Sequence, residues 1–165
     1  MKTKIMTIAL ILILPCVINA QTTENLFNKY SGQTGIDAIT ISAEMIKVAG
    51  SSINITNNPS FPKGIGFSKV KGLKVLNLNE KTDKYDSFVK DSENILKSVD
   101  KEVLMDIKSS DGESVGIYGI KSSRKKEISE FILFRKNGSE ATLVSVQGDF
   151  SLDDLNEIGK NINPK

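Results

Sequence analysis

The stretch EISEFILFRKNGSEATLVSVQGDFSLDDLNEIGKNI, Glu127 to Ile162, decides the fold. Residues 128–135 and 140–147 are strand-like apolar runs on either side of Asn137-Gly138. Asn-Gly between two such runs predicts a tight hairpin, because a type I′ turn needs φ > 0 at both central residues. A two-residue turn there sets Arg135 opposite Glu140, Phe134 opposite Ala141 and Ile132 opposite Leu143. Ile132, Phe134, Ala141 and Leu143 then share one face, and Phe131, Leu133, Val144 and Val146 share the other. With both faces apolar, the hairpin is either central in a sheet covered on both sides or offers one face to a partner.

A helix start follows at once. Ser151 is an N-cap whose hydroxyl can accept from a free N–H of the first turn. Asp154, three residues on, completes a variant of the capping box, and Phe150 and Leu155 have the spacing of a hydrophobic staple. Leu152, Leu155, Ile158 and Ile162 form one apolar stripe of a helix running to about Ile162.

Residues 1–20 read as a signal segment. Lys2 and Lys4 open it, residues 5–14 are an apolar run too short to span a bilayer, and Ile18-Asn19-Ala20 offers cleavage between Ala20 and Gln21. Residues 21–165 are then one domain, long enough to bury roughly 70% of its unfolded surface. The 22 basic residues less Lys2 and Lys4 leave 20, against 20 acidic ones, so this domain has no net charge. It lacks the basic footprint of a nucleic-acid binder. The single cysteine, Cys16, lies inside the signal segment. Lipid attachment at Cys16 wants a small residue before it, and Pro15 stands there, so simple cleavage is the expectation and membrane anchoring the exception.

The chain has no histidine and no tryptophan. That removes Ser-His-Asp and Cys-His catalysis, histidine-based zinc sites and any imidazole pH switch. No cofactor is expected. Chemistry is left to carboxylates, lysines, hydroxyls and backbone donors.

From the start of the domain, Thr22 or Thr23 caps a short helix with Leu26, Phe27 and Tyr30 inward. Residues 36–41 read as a strand. Ser42 caps a second helix with Met45, Ile46 and Ala49 inward, stopped by Gly50. Residues 51–66, with Asn57-Asn58-Pro59 and Phe61-Pro62, read as loop. Phe61, Ile65 and Phe67 there are expected to pack back on the domain, with contact to a partner as the alternative for these three residues. Residues 70–78 read as a strand. Thr82 or Asp83 opens the longest helix, with Tyr85, Phe88, Val89, Ser92, Ile95, Leu96 and Val99 on one side. Residues 103–108 and 114–120 form a second hairpin about Asp111-Gly112, which pairs Met105 with Tyr118 and Val103 with Ile120. Val103, Met105, Ile107, Tyr118 and Ile120 then share a face. Gly116 and Gly119 mark a bulge or the close approach of another group. Arg124-Lys125-Lys126 is a solvated turn. The element order α-β-α-β-α-β-β-β-β-α gives an α+β fold: a mainly antiparallel sheet, with a C-terminal four-strand meander and helices packed on it.

Asp149-x-Ser151-x-Asp153 has the opening spacing of a calcium loop, but Asp154 and Lys160 stand where the turn glycine and closing glutamate belong. Helix capping explains the same residues, so no metal site is expected. Asp86, Asp91 and Glu93 on the long helix, and Glu102, Asp106 and Glu130 on strands, are the carboxylates available for acid–base work. Nothing in the sequence joins two of them in the paired arrangement that glycoside chemistry needs. No catalytic residue is assigned.

Several stretches are shared with a known family: Leu26-Phe27-Asn28-Lys29-Tyr30, Ile41-Ser42-Ala43-Glu44-Met45, Gly112-Glu113-Ser114-Val115-Gly116-Ile117-Tyr118, Ile128-Ser129-Glu130-Phe131 and Gly148-Asp149-Phe150-Ser151-Leu152-Asp153-Asp154-Leu155. Together they resemble the exported envelope family labelled domain of unknown function 4252, found in Gram-negative bacteria. The resemblance implies a protein of the periplasm or outer envelope without assigned activity, and brings no catalytic residues. The leading expectation is a non-enzymatic module that binds an envelope protein partner. The alternatives are a carboxylate-based enzyme or small-ligand binder, and a purely structural envelope component.

Overall fold

The computed structural model describes residues 22–49, 69–79, 82–122, 127–151 and 153–154. In chain order it has α1 (Thr23–Tyr30), β1 (Ile36–Ser42), α2 (Ala43–Ala49), β2 (Val70–Leu78), α3 (Tyr85–Ser98), β3 (Lys101–Lys108), β4 (Ser114–Lys121), β5 (Ile128–Lys136) and β6 (Ala141–Phe150). The strands form one six-stranded sheet in the order β1-β2-β6-β5-β4-β3. Every neighbouring pair is antiparallel. The expected α+β architecture and its C-terminal meander are both present.

The β5–β6 hairpin forms, but its turn sits one residue later than expected. Asn137 N–H donates to the Glu140 carbonyl (3.1 Å), so the two-residue loop is Gly138-Ser139. Gly138 has φ of 85°, while Asn137 stays out of the positive region. A positive φ at the first central position is what a type II′ turn uses. Asn137 serves instead as an acceptor: its Oδ1 takes the N–H groups of Ser139 (3.1 Å) and Glu140 (2.7 Å). Phe134 therefore faces Leu143, and Ile132 faces Ser145. This register is two residues from the expected one, and an even shift leaves every side chain on its face. Arg135 lies opposite Thr142 rather than Glu140, and its guanidinium bonds Glu113 (2.9 and 2.8 Å).

Two cores lie on the two faces of the sheet. On one, Leu26 and Tyr30 of α1 and Phe88, Ile95 and Leu96 of α3 pack on Leu76, Leu78, Ile132, Phe134 and Leu143. On the other, Ile46 of α2 joins Val70, Leu73, Phe131, Val144, Val146 and Phe150. Both faces of the central hairpin are buried, so of the two expected arrangements the covered one holds. Tyr30 Oη donates to Asp91 Oδ2 (2.8 Å) and Lys29 pairs with the same oxygen (2.6 Å), which ties α1 to α3. Burial, and then the bond to Asp91, push the Tyr30 hydroxyl well above its ordinary pKa.

Three local expectations need correction. The β3–β4 connection is a three-residue loop, because Ser109 N–H bonds the Glu113 carbonyl (2.8 Å) and Gly112 supplies φ of 91°. Lys108 then faces Ser114, Met105 faces Ile117 and, past a bulge at Leu104, Val103 faces Tyr118. Val103 and Tyr118 stay together, whereas Met105 and Ile107 go to the opposite face. In α2, Ser42 Oγ does accept from Met45 N–H (3.3 Å), but Met45 is 58% exposed and Ile46 carries the burial. The long helix starts at Tyr85, because Thr82 Oγ1 takes the Lys84 N–H (3.2 Å) in a turn before it.

At the other end, Ser151 and Asp154 make the reciprocal bonds of a capping box, with Ser151 N–H to Asp154 Oδ2 at 2.7 Å and Asp154 N–H to Ser151 Oγ at 3.4 Å. The rest of the expected helix and its staple at Leu155 lie outside the described residues.

Candidate functional site

Six strands at about 4.8 Å spacing span about 24 Å, whereas two helices side by side cover roughly 20 Å. On this face α1 is seated over β1 and β2 and α3 over β6, and neither helix is centred on β3. A cleft of about 580 Å³ lies there, between the flank of α3 and the strands. That is the size of a small-ligand or side-chain site.

The floor is apolar and set by one glycine. Phe134 and Leu96 are buried beneath the cleft, and Val103 and the Tyr118 ring lie beside them. Tyr118 lies across Gly116: a Cβ at Gly116 would come 2.5 Å from Tyr118 Cζ, closer than side chains approach. Gly119 is less tight but still close-packed, 3.1 Å from Ile128 Cδ1 for the same added atom. The close approach expected at these two glycines is present. Burial, then the negative charges of Asp106 and Glu93, push the Tyr118 hydroxyl above its ordinary pKa.

The rim is charged and uneven. Each of its three carboxylates is held by a cation: Glu93 by Lys136 (2.6 Å), Asp106 by Lys108 (3.3 Å) and Glu113 by Arg135 (2.8 Å). Lys97 and Lys101 also line the cleft and have no carboxylate partner among the described residues. The cleft is thus an apolar floor under a rim with surplus positive charge. A second hollow of about 90 Å³, between α1 and α3, is too small for a comparable ligand.

One carboxylate on the same sheet face is half-buried, away from the cleft. Glu130 Oε1 accepts from Thr23 Oγ1 of α1 (2.6 Å) and from Ser145 Oγ of β6 (2.5 Å). Lys74 stands near it but is paired with Glu24 and lies 5.2 Å from the Phe27 ring centre. Burial raises the Glu130 pKa, and the hydroxyls and Lys74 only partly offset it. The folded chain therefore holds this proton more tightly than the unfolded chain. The stability Glu130 contributes is full below the ordinary glutamate range and is lost as pH rises through the raised pKa. Glu130→Gln keeps an acceptor for both hydroxyls and removes the charge. Its stability relative to the natural protein should therefore be best at pH 7 and decline towards pH 4, read from urea midpoints; a difference constant with pH would contradict this.

The other sequence candidates scatter. Asp91 is tied to Lys29 and Tyr30, and Glu102 pairs with Lys121 (3.2 Å). Asp149 pairs with Lys71 (2.5 Å) and Asp154 with Lys69 (2.7 Å) at this corner. Burial by itself would raise the Asp154 pKa; Lys69 and Ser151 outweigh it and hold the carboxyl below its usual range. Among the described residues no group of three or more His, Cys, Asp or Glu is placed to hold a metal ion. Likewise among them, no helix is long and apolar enough to cross a membrane. Cys16, Ala20, Gln21, Phe61, Ile65, Phe67 and the Arg124-Lys125-Lys126 run lie outside the described residues. Sequence reading missed Lys97, Lys101 and Tyr118 as a group; its one signal was the pair of glycines in β4.

The family described as "Domain of unknown function (DUF4252)" matches residues 30–158. No curated protein and no solved structure matches the chain.

Proposed function

We propose that this chain, which belongs to the domain of unknown function 4252 family, is an exported, non-enzymatic module that binds an envelope protein partner at the cleft between α3 and β3. One observation carries the reading. All three rim carboxylates are neutralised by cations, while Lys97 and Lys101 remain over an apolar floor. General acid–base work needs a carboxyl in reach of the substrate and able to exchange its proton. Glu130, whose pKa is raised, instead bonds α1 and β6 away from the cleft. An apolar floor with a few charged groups at its rim is the pattern of recognition. Export is supported by the basic and apolar start of the sequence.

The test is photo-cross-linking in the intact host cell. A photoreactive residue at Val103 should give a discrete protein adduct that Gly116→Ala, which displaces the Tyr118 ring, weakens. The same residue at Ile39, on the far edge strand, should give none. Equal adducts at both positions, or none at Val103, would overturn the reading.

A further inference from the structure

β3 is an end strand of the sheet, and no described strand pairs with its outer side. Such an edge presents a row of free N–H and C=O groups, a template for an added strand. Its two faces differ. Lys101, Val103, Asp106 and Lys108 turn to the cleft; Met105 and Ile107 turn to the opposite, apolar face. Val103 is 54% exposed and Ile107 is 45% exposed, so the strand has apolar surface open on both sides.

We infer, building on the cleft reading above, that β3 takes an extended polypeptide segment of alternating acidic and apolar residues as a seventh strand. Its acidic side chains turn into the cleft, to Lys97 and Lys101. Its apolar side chains continue the opposite face beside Met105 and Ile107. Charge complementarity selects this occupant, because the cleft cations without a carboxylate partner among the described residues are the two lysines nearest the start of β3. It also disfavours a second copy of the chain: full-length antiparallel pairing of two β3 edges sets Lys101 opposite Lys108 at both ends.

The probes are fluorescent eight-residue peptides, matching the 8 residues of β3. One alternates Glu and Val, one alternates Lys and Val, and a third is the Glu–Val peptide N-methylated on the side that meets β3. Fluorescence anisotropy on the purified protein should show the Glu–Val peptide binding at least about tenfold tighter than the Lys–Val peptide, with Lys101→Glu or Lys97→Glu removing about as much. The N-methylated peptide should lose binding, because its backbone donors are gone. Equal binding of the N-methylated peptide overturns the added strand and leaves the cleft as the binding site. Equal binding of the Glu–Val and Lys–Val peptides overturns the occupant, as does a β3-dependent dimer in sedimentation velocity. Binding of neither peptide overturns the inference, while cross-linking at Val103 still decides the cleft reading on its own. Two separate lysine variants, each with its thermal midpoint measured, keep a folding defect from passing as lost binding.

Discussion

Replacing Phe88 with Ala is expected to destabilise the protein by about 3–5 kcal/mol, a large part of the roughly 5–15 kcal/mol that holds a domain folded. Phe88 is fully buried on α3. Its ring meets Tyr30 edge-on at 5.1 Å between centroids and Phe134 at 6.4 Å. One side chain therefore joins α1, α3 and β5. Its removal leaves a cavity that the sheet cannot close, since Phe134 is fixed by its ladder to β4 and β6. Tyr30 would keep its bond to Asp91 but lose the ring against which it packs. Urea unfolding should show a lower midpoint at an unchanged slope. A loss below about 1 kcal/mol would mean that α3 is not seated on the sheet as described.

Gly148→Ala is expected to cost about 1–3 kcal/mol or more, although it adds a single methyl group. Gly148 lies in β6 opposite Val70, beside the bulge in β2. A Cβ there would strike the Lys69 carbonyl oxygen and come 2.5 Å from Phe150 Cζ. The ring is itself buried, 4.5 Å from Phe131 between centroids. A flexible side chain could swing aside, but the carbonyl belongs to the backbone that leads into β2. Combining Gly148→Ala with Phe150→Leu should therefore recover only part of the loss. Full recovery in the double variant would place the whole strain on the ring and contradict the backbone contact.

The fold was largely legible because hydrophobic alternation is robust. The hairpin turn was misplaced by one residue, yet the register moved by two, so Ile132, Phe134, Ala141 and Leu143 kept their face. The β3–β4 hairpin had no such protection. Asp111-Gly112 looks like a two-residue turn, but Gly112 closes a three-residue loop, and the odd slip sent Met105 and Ile107 to the other face. The cleft was barely legible. Its Lys97 and Lys101 come from α3 and β3, its tyrosine from β4 and the cations of two of its ion pairs from β5, and only packing brings these together. The lack of histidine removed imidazole chemistry and left carboxylates, lysines, hydroxyls and backbone donors; of the carboxylates, Asp91, Glu93, Glu102 and Asp106 are held in ion pairs and Glu130 by two hydroxyls.

A two-dimensional NMR map of the purified protein, titrated with the peptide alternating Glu and Val, shows whether ligands meet this chain at the cleft between α3 and β3. The largest amide shifts should fall at Lys97, Lys101, Val103, Asp106 and Tyr118. Shifts centred instead on Ile39, Met45 and Val48, exposed apolar residues away from the cleft, would contradict it.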